Sequence, residues 1–262
     1  MYIARHINKD SKLVEQEVLH ILLKYLNLDE SSYYGYITTG GTEGNMYSML
    51  QYRYFFQMKH NDKPKYYFSR RSHYSIEKIC KILDVPYSII DENENFEINT
   101  DHLSHLVNQD IKSGIKSGVI ILTYGKTETG SIDDVLLVKS KLPSTFDFKI
   151  HLDAAIYGLL IPYKNEHNII ASCDSFSMSG HKLFGSIFVY GFVFYRKENL
   201  IDVKNKISYT NLNDETIVGS RNGYFAIDAL NIIKEYEFEK FYDANYMCKL
   251  RKKFNCCFKN MV

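Results

Sequence analysis

Phe148-Lys149-Ile150-His151-Leu152-Asp153-Ala154-Ala155 is a short apolar segment that ends on a carboxylate and then two small residues. Its first five residues read as a strand. Upstream the same unit recurs. Asp133 to Leu142 reads as a helix and Val119-Ile120-Ile121-Leu122-Thr123 as a buried strand. Thr100 to Val107 begins another helix, and Tyr87-Ser88-Ile89-Ile90 is a strand. Tyr74 to Leu83 is a helix and Lys65-Tyr66-Tyr67-Phe68 a strand. Repeated β-then-α order with short apolar strands predicts an α/β fold with a mostly parallel central sheet and flanking helices. Ligands of such sheets gather at the carboxyl ends of the strands. The segments that matter therefore follow Phe68, Thr123 and Leu152.

The flanks are simpler. Leu13, Val14, Val18, Ile21, Leu22 and Tyr25 recur at helical spacing, predicting a helix over about 12–26. Beyond residue 182, Ile187 to Tyr195 reads as a buried strand or a hairpin bent at Gly191, and Lys197 to Lys206 as a short helix. Asn211 to Gly223 reads as a polar loop. Phe225, Leu230, Ile233 and Tyr236 restore helical spacing toward the chain end.

Ser177-Met178-Ser179-Gly180-His181-Lys182 carries the most chemistry. Small and hydroxyl residues lead to a histidine and a single lysine, with Phe176 before and Leu183-Phe184 after. An amine among apolar groups is costly to keep charged and becomes nucleophilic, able to form an imine with an aldehyde cofactor. Ser179 and His181 could take that cofactor's phosphate. A surface turn with an exposed lysine is the plainer alternative.

Other stretches fit one site. Thr38-Thr39-Gly40-Gly41-Thr42-Glu43-Gly44-Asn45 opens a helical period, so its N–H groups and dipole suit a phosphate. It matches neither the nucleotide P-loop nor the dinucleotide fingerprint, and a helix cap explains it equally well. His73 could stack on a flat ring or lie on the surface. Asp153 could hold a proton on a pyridine nitrogen or cap the next turn, with small Ala155 leaving room for the ring. Thr123-Tyr124-Gly125-Lys126-Thr127 could contact a cofactor through its backbone and Thr127, with Lys126 expected to point to solvent.

Composition bounds the rest. The 262 residues are 45% hydrophobic and 24% charged, enough for one large domain, and the formal charge of +1 implies no nucleic-acid partner. No apolar run is long enough to span a membrane and no signal-peptide pattern opens the chain. Cysteines 80, 173, 248, 256 and 257 lack paired metal spacing, so no metal is expected and reduced thiols in a cytoplasmic protein are.

The chain resembles the pyridoxal-phosphate-dependent group II amino-acid decarboxylases, in particular the histidine and serine decarboxylase branch. The matching stretches are Gly35 to Asn45, Ser72-His73-Tyr74-Ser75, His151 to Ala155, Ser179-Gly180-His181-Lys182 and Gly219-Ser220-Arg221-Asn222-Gly223. They follow the family's order across about residues 10–240. The resemblance implies the large domain of a fold-type I pyridoxal-phosphate enzyme. Lys182 would attach the cofactor, Asp153 would pair with the pyridine nitrogen and His73 would stack on the ring. Gly41, Thr42, Ser179 and His181 would hold the phosphate, and Ala155 would pack on the other face. Ser220 would reach a neighbouring subunit's site in a homodimer. The implied reaction converts a small-molecule L-amino acid, histidine first, to its amine and carbon dioxide. L-serine or an aromatic amino acid is the alternative substrate, and a non-catalytic cofactor-binding remnant the alternative protein.

Against that family the sequence reads as truncated at both ends, with most of a C-terminal small domain absent. The expected division is an N-terminal helical segment over 1–32, a cofactor-binding large domain over 33–240 and a helical tail over 241–262. Gly125-Lys126-Thr127 stands where relatives usually have Gly-Thr-Thr.

Overall fold

The computed structural model describes residues 2–162, 164, 166–182, 184–201, 205–207, 212–214 and 216–235. The expected tail over 241–262 lies outside these residues. Helix α1 (Tyr2–Tyr25) leads into β1 (Tyr33–Thr38) and α2 (Gly41–His60). Strands and helices then alternate: β2 (Lys65–Ser69), α3 (Ser75–Ile82), β3 (Tyr87–Ile90), α4 (Thr100–Lys112), β4 (Ser117–Thr123), α5 (Val135–Lys141), β5 (Asp147–Asp153), α6 (His167–Ala171) and β6 (Ser175–Ser179). After β7 (Gly191–Arg196) come the small ribbon β8 (Asn205–Ile207) and β9 (Leu212–Asp214), then α7 (Tyr224–Glu235).

The seven-stranded sheet has the order β1-β7-β6-β5-β4-β2-β3. All pairings from β3 to β6 are parallel, and β7 runs antiparallel to both β6 and β1. Side chains alternate between faces along each strand. Val119 and Ile121 of β4 join Tyr66, Phe68 and Val193 against α2 and α3. Ile120 and Leu122 join Ile150, Leu152 and Phe176 on the opposite face, under α1, α4, α5, α6 and α7. Both faces are covered, which is why every residue of β4 is buried. Helix starts are set locally: the Asn99 side chain accepts the N–H groups of Asp101 and His102, and that of Asp134 accepts the N–H of Leu137.

The expected β/α alternation is present, and three expectations are corrected. Residues 187–189 are not part of a strand. Their would-be neighbours β1 and β6 end at Thr38 and Ser179, which pair with Gly191, so extension has no partner. Ile187 and Val189 are accordingly 87% and 62% exposed. Of the helix expected over 197–206, Lys197–Asn199 forms a single turn, closed where buried Asn199 donates its amide to Asp174 at 3.0 Å, and Asn205 and Lys206 lie in β8. The polar loop expected over 211–223 contains β9.

Lys126 does not point to solvent; it is 1% exposed. The cause is Asp133, fully buried while accepting the N–H groups of Ile98 at 2.6 Å and Thr123 at 2.9 Å. A carboxylate so placed needs a cation, and Lys126 Nζ lies 3.0 Å from it. The same ammonium lies 3.3 Å from Glu92 and donates to the Phe96 carbonyl at 2.5 Å, latching the segment before α4 onto the carboxyl end of β4. Lys126→Met leaves Asp133 buried without its partner and should destabilise the fold by about 3–5 kcal/mol, read as a lowered midpoint in urea unfolding.

Candidate active site

The carboxyl ends of β4, β5 and β6 open into one cleft. Gly41, Thr42, Asn45, His73, Thr123, Asp153, Ala155, Ser179, His181 and Lys182 are among the residues lining it. Eight of the nine expected site residues thus converge. The ninth, Ser220, is exposed and outside the cleft. Its neighbour Arg221 explains why. The guanidinium pairs with Glu15, donates to the Ile37 carbonyl at 3.0 Å and lies over the Tyr36 ring, fastening this segment to α1 and β1.

Asp153 ends β5 and is 4% exposed. One carboxylate oxygen accepts the Ala155 N–H at 3.2 Å and the other the Asn45 side-chain amide at 2.9 Å. His73 sits between β2 and α3, where its Nδ1 accepts the Ser75 N–H at 3.3 Å and meets the Ser75 hydroxyl at 2.7 Å. An acceptor Nδ1 puts the ring proton on Nε2. Burial pulls the His73 imidazole below its usual range; the Asp153 charge pulls it back up and the Lys182 charge pulls it down again. Lys182 is half-buried at the cleft rim, less enclosed than its apolar neighbours in sequence imply, although Phe184 is buried.

Opposite Asp153 lies the first turn of α2. The Glu43 carboxylate reaches back to the Thr39 N–H and hydroxyl, both at 2.7 Å, and accepts the Tyr36 hydroxyl at 3.0 Å, fixing the turn that presents Gly41 and Thr42. A side chain at Gly41 would press on the Ser179 hydroxyl at 3.1 Å, so the glycine keeps that hydroxyl and the helix end together. At Gly44 a Cβ would come within 2.9 Å of Ser177 Cβ, so its absence lets α2 lie close on the sheet.

These residues fit pyridoxal phosphate. The helix start, Ser179 and His181 offer donors to a phosphate. Asp153 offers an acceptor to a protonated pyridine, and Lys182 an amine to an aldehyde. Thr123 Oγ1 is buried at the cleft with no protein partner, a polar atom that a ligand would satisfy.

Two residues important to the geometry were not expected. Asn45 and His151 are both buried, and His151 Nε2 lies 2.9 Å from Asn45 Oδ1. The signal was available: His151 is two residues before Asp153 on the same strand face, and Asn45 is one helical turn beyond Gly41.

A family pattern described as the pyridoxal-dependent decarboxylase conserved domain matches residues 2–252. A histidine decarboxylase of Acinetobacter baumannii (strain AYE) is 32% identical over 217 residues, covering 80% of this chain and 55% of that protein. One from Morganella morganii is 31% identical over 233 residues, covering 86% and 60%. The chain thus spans somewhat more than half the length of these relatives. The crystal structure of Oryza sativa TDC with PLP and tryptamine superposes with a TM-score of 0.79 at 18% identity, over 88% of this chain and 54% of that one, a likeness of fold.

Complete burial pulls His151 down to about 3. Unfolded, the same imidazole takes a proton near pH 6.5. Between those values the unfolded chain binds the extra proton, so stability should fall as pH drops below about 6.5, at up to about 1.4 kcal/mol per pH unit for this group. Urea midpoints between pH 7 and 5 should show that decline, with a flatter slope in His151→Gln.

Proposed function

The chain belongs to the pyridoxal-dependent decarboxylase family, and on that premise we propose that it is an amino-acid decarboxylase releasing carbon dioxide from an L-amino acid, with histidine as the substrate. The convergence of Lys182, Asp153 and His73 in one cleft with the α2 start is the observation that carries the reading. The histidine decarboxylases at about 30% identity support the choice of substrate.

In this reading Lys182 would attach the cofactor through its side-chain amine. Gly41, Thr42, Ser179 and His181 would bind the phosphate, His73 would stack on the ring and Ala155 would pack against it. Asp153 would hold a proton on the pyridine nitrogen. Bound pyridoxal phosphate supplies the electron sink for the pair left when carbon dioxide departs. The chain's own work is orientation: the strand ends fix the carboxylate and His73, and the Gly-rich turn fixes the phosphate end.

The same reading places residues 33–240 in the cofactor-binding domain and 1–32 in a helical segment ahead of it. It makes the protein a cytoplasmic homodimer in which exposed Ser220 serves the neighbouring subunit's site. The buried free thiols of Cys80 and Cys173 accord with a reducing compartment. Among the described residues no helix is long and apolar enough to cross a membrane.

Titration with pyridoxal phosphate should raise a visible absorbance band that Lys182→Ala lacks. Carbon dioxide release should be faster from histidine than from serine or aromatic amino acids. A band without release from any of them would reduce the protein to a cofactor binder, and no band would remove the cofactor from the account.

A further inference from the structure

We propose that Tyr52, Ser175, His151 and Asn45 form a one-way relay of buried hydrogen bonds that holds the Asp153 carboxylate in a fixed orientation; they are positioning residues, and their purpose rests on the role given to Asp153 above. The contacts are continuous. The Tyr52 hydroxyl donates to Ser175 Oγ at 2.7 Å, Ser175 Oγ lies 2.7 Å from His151 Nδ1, His151 Nε2 lies 2.9 Å from Asn45 Oδ1, and Asn45 Nδ2 donates to Asp153 at 2.9 Å. Ser177 Oγ also donates to Asn45 Oδ1.

Elementary donor and acceptor rules fix the direction of every bond. An ionised carboxylate only accepts, so the Asn45 amide must turn its NH₂ toward Asp153 and its oxygen toward His151. That oxygen only accepts, so His151 carries its proton on Nε2. Nδ1 then lacks a proton and accepts from Ser175, whose oxygen accepts from Tyr52. Rotating the amide would set its oxygen against the carboxylate and leave two acceptors facing each other. All the donors therefore point from Tyr52 toward Asp153, an arrangement in which each bond polarises the next.

Burial keeps the relay neutral. Tyr52, Ser175 and His151 are fully buried and Asn45 is 2% exposed. The imidazole is pulled down to about 3, and burial raises the Tyr52 phenol well above its usual range, so one stays uncharged and the other stays a donor. An arginine or lysine behind Asp153 would compete with the cleft for its charge. A neutral polarised chain aims the carboxylate without cancelling it. Apolar side chains would fill the same space without the desolvation cost of four polar groups, so packing alone does not explain the arrangement.

The relay can be tested with and without cofactor. Nitrogen-15 spectra of the imidazoles in the cofactor-free chain should show His151 neutral, protonated on Nε2, and unchanged from about pH 8 to about pH 5. Asn45→Asp retains size and the acceptor for His151 but puts an oxygen against Asp153. It should weaken pyridoxal phosphate binding by about 10- to 100-fold and shift the bound absorbance band. Tyr52→Phe removes only the far donor and should cost about twofold or less. Thermal melts separate these losses from unfolding, and Ser175→Ala, expected between the two, serves if Asn45→Asp does not fold. A proton on His151 Nδ1, wild-type binding and spectrum in Asn45→Asp, or equal losses along the chain would overturn the relay. If the wild-type chain does not bind pyridoxal phosphate, the proposed function fails, while the His151 tautomer still decides the relay.

Discussion

A carboxylate at the end of a parallel strand is the constraint on which the cleft depends. Asp153 is 4% exposed, and the surrounding elements supply hydrogen bonds to it. Backbone answers at Ala155, whose N–H turns back toward the strand end. Helix α2 answers through Asn45, which reaches Asp153 only because glycine at 44 lets the helix lie close on β6. The close approach that places the Asn45 amide also brings the start of α2 to the edge of the cleft. One buried charge and one missing side chain thus bring the two ends of the cleft into register.

The neighbouring strand end meets the same problem with another device. Asp133 lies where β4 runs out, is fully buried, and accepts two backbone N–H groups. Here a full cation, Lys126, completes the pairing, and the cluster faces away from the cleft toward the segment before α4. The two carboxylates show how context sorts similar groups. Asp133 is tied to an ammonium, whereas the hydrogen-bond donors to Asp153 are the neutral Asn45 amide and the Ala155 N–H.

Much of this was legible in the chain. Short apolar strands alternating with helices fixed a parallel arrangement because only crossover helices join such strands. The site residues after Phe68, Thr123 and Leu152 followed from where those strands end. Long-range compensation was not legible. Nothing near Lys126 in sequence announces that Asp133 and Glu92 will enclose it, and an isolated lysine is ordinarily exposed. Ile187-Phe188-Val189 has strand-like composition but no strand beside it, so local propensity lost to the lengths of β1 and β6.

The rim of the cleft is organised differently from its floor. Lys182 and His181 lie in a turn between β6 and β7, outside the sheet's ladder. Gly180 admits the Tyr190 ring, which would stand 2.2 Å from any added Cβ, and donates its N–H to the Tyr190 carbonyl at 2.8 Å. Tyr190 in turn donates its hydroxyl to Asp228 of α7 at 2.9 Å, and Ser186 donates to the same carboxylate at 2.6 Å. The amine's position is therefore referred to α7 through one aspartate, while the carboxylate's is referred to α2 through one asparagine. Geometry between amine and carboxylate consequently depends on two helices lying on opposite faces of the sheet. A change in either packing layer moves one of the two groups relative to the other, which makes the two-layer core part of the cleft's definition.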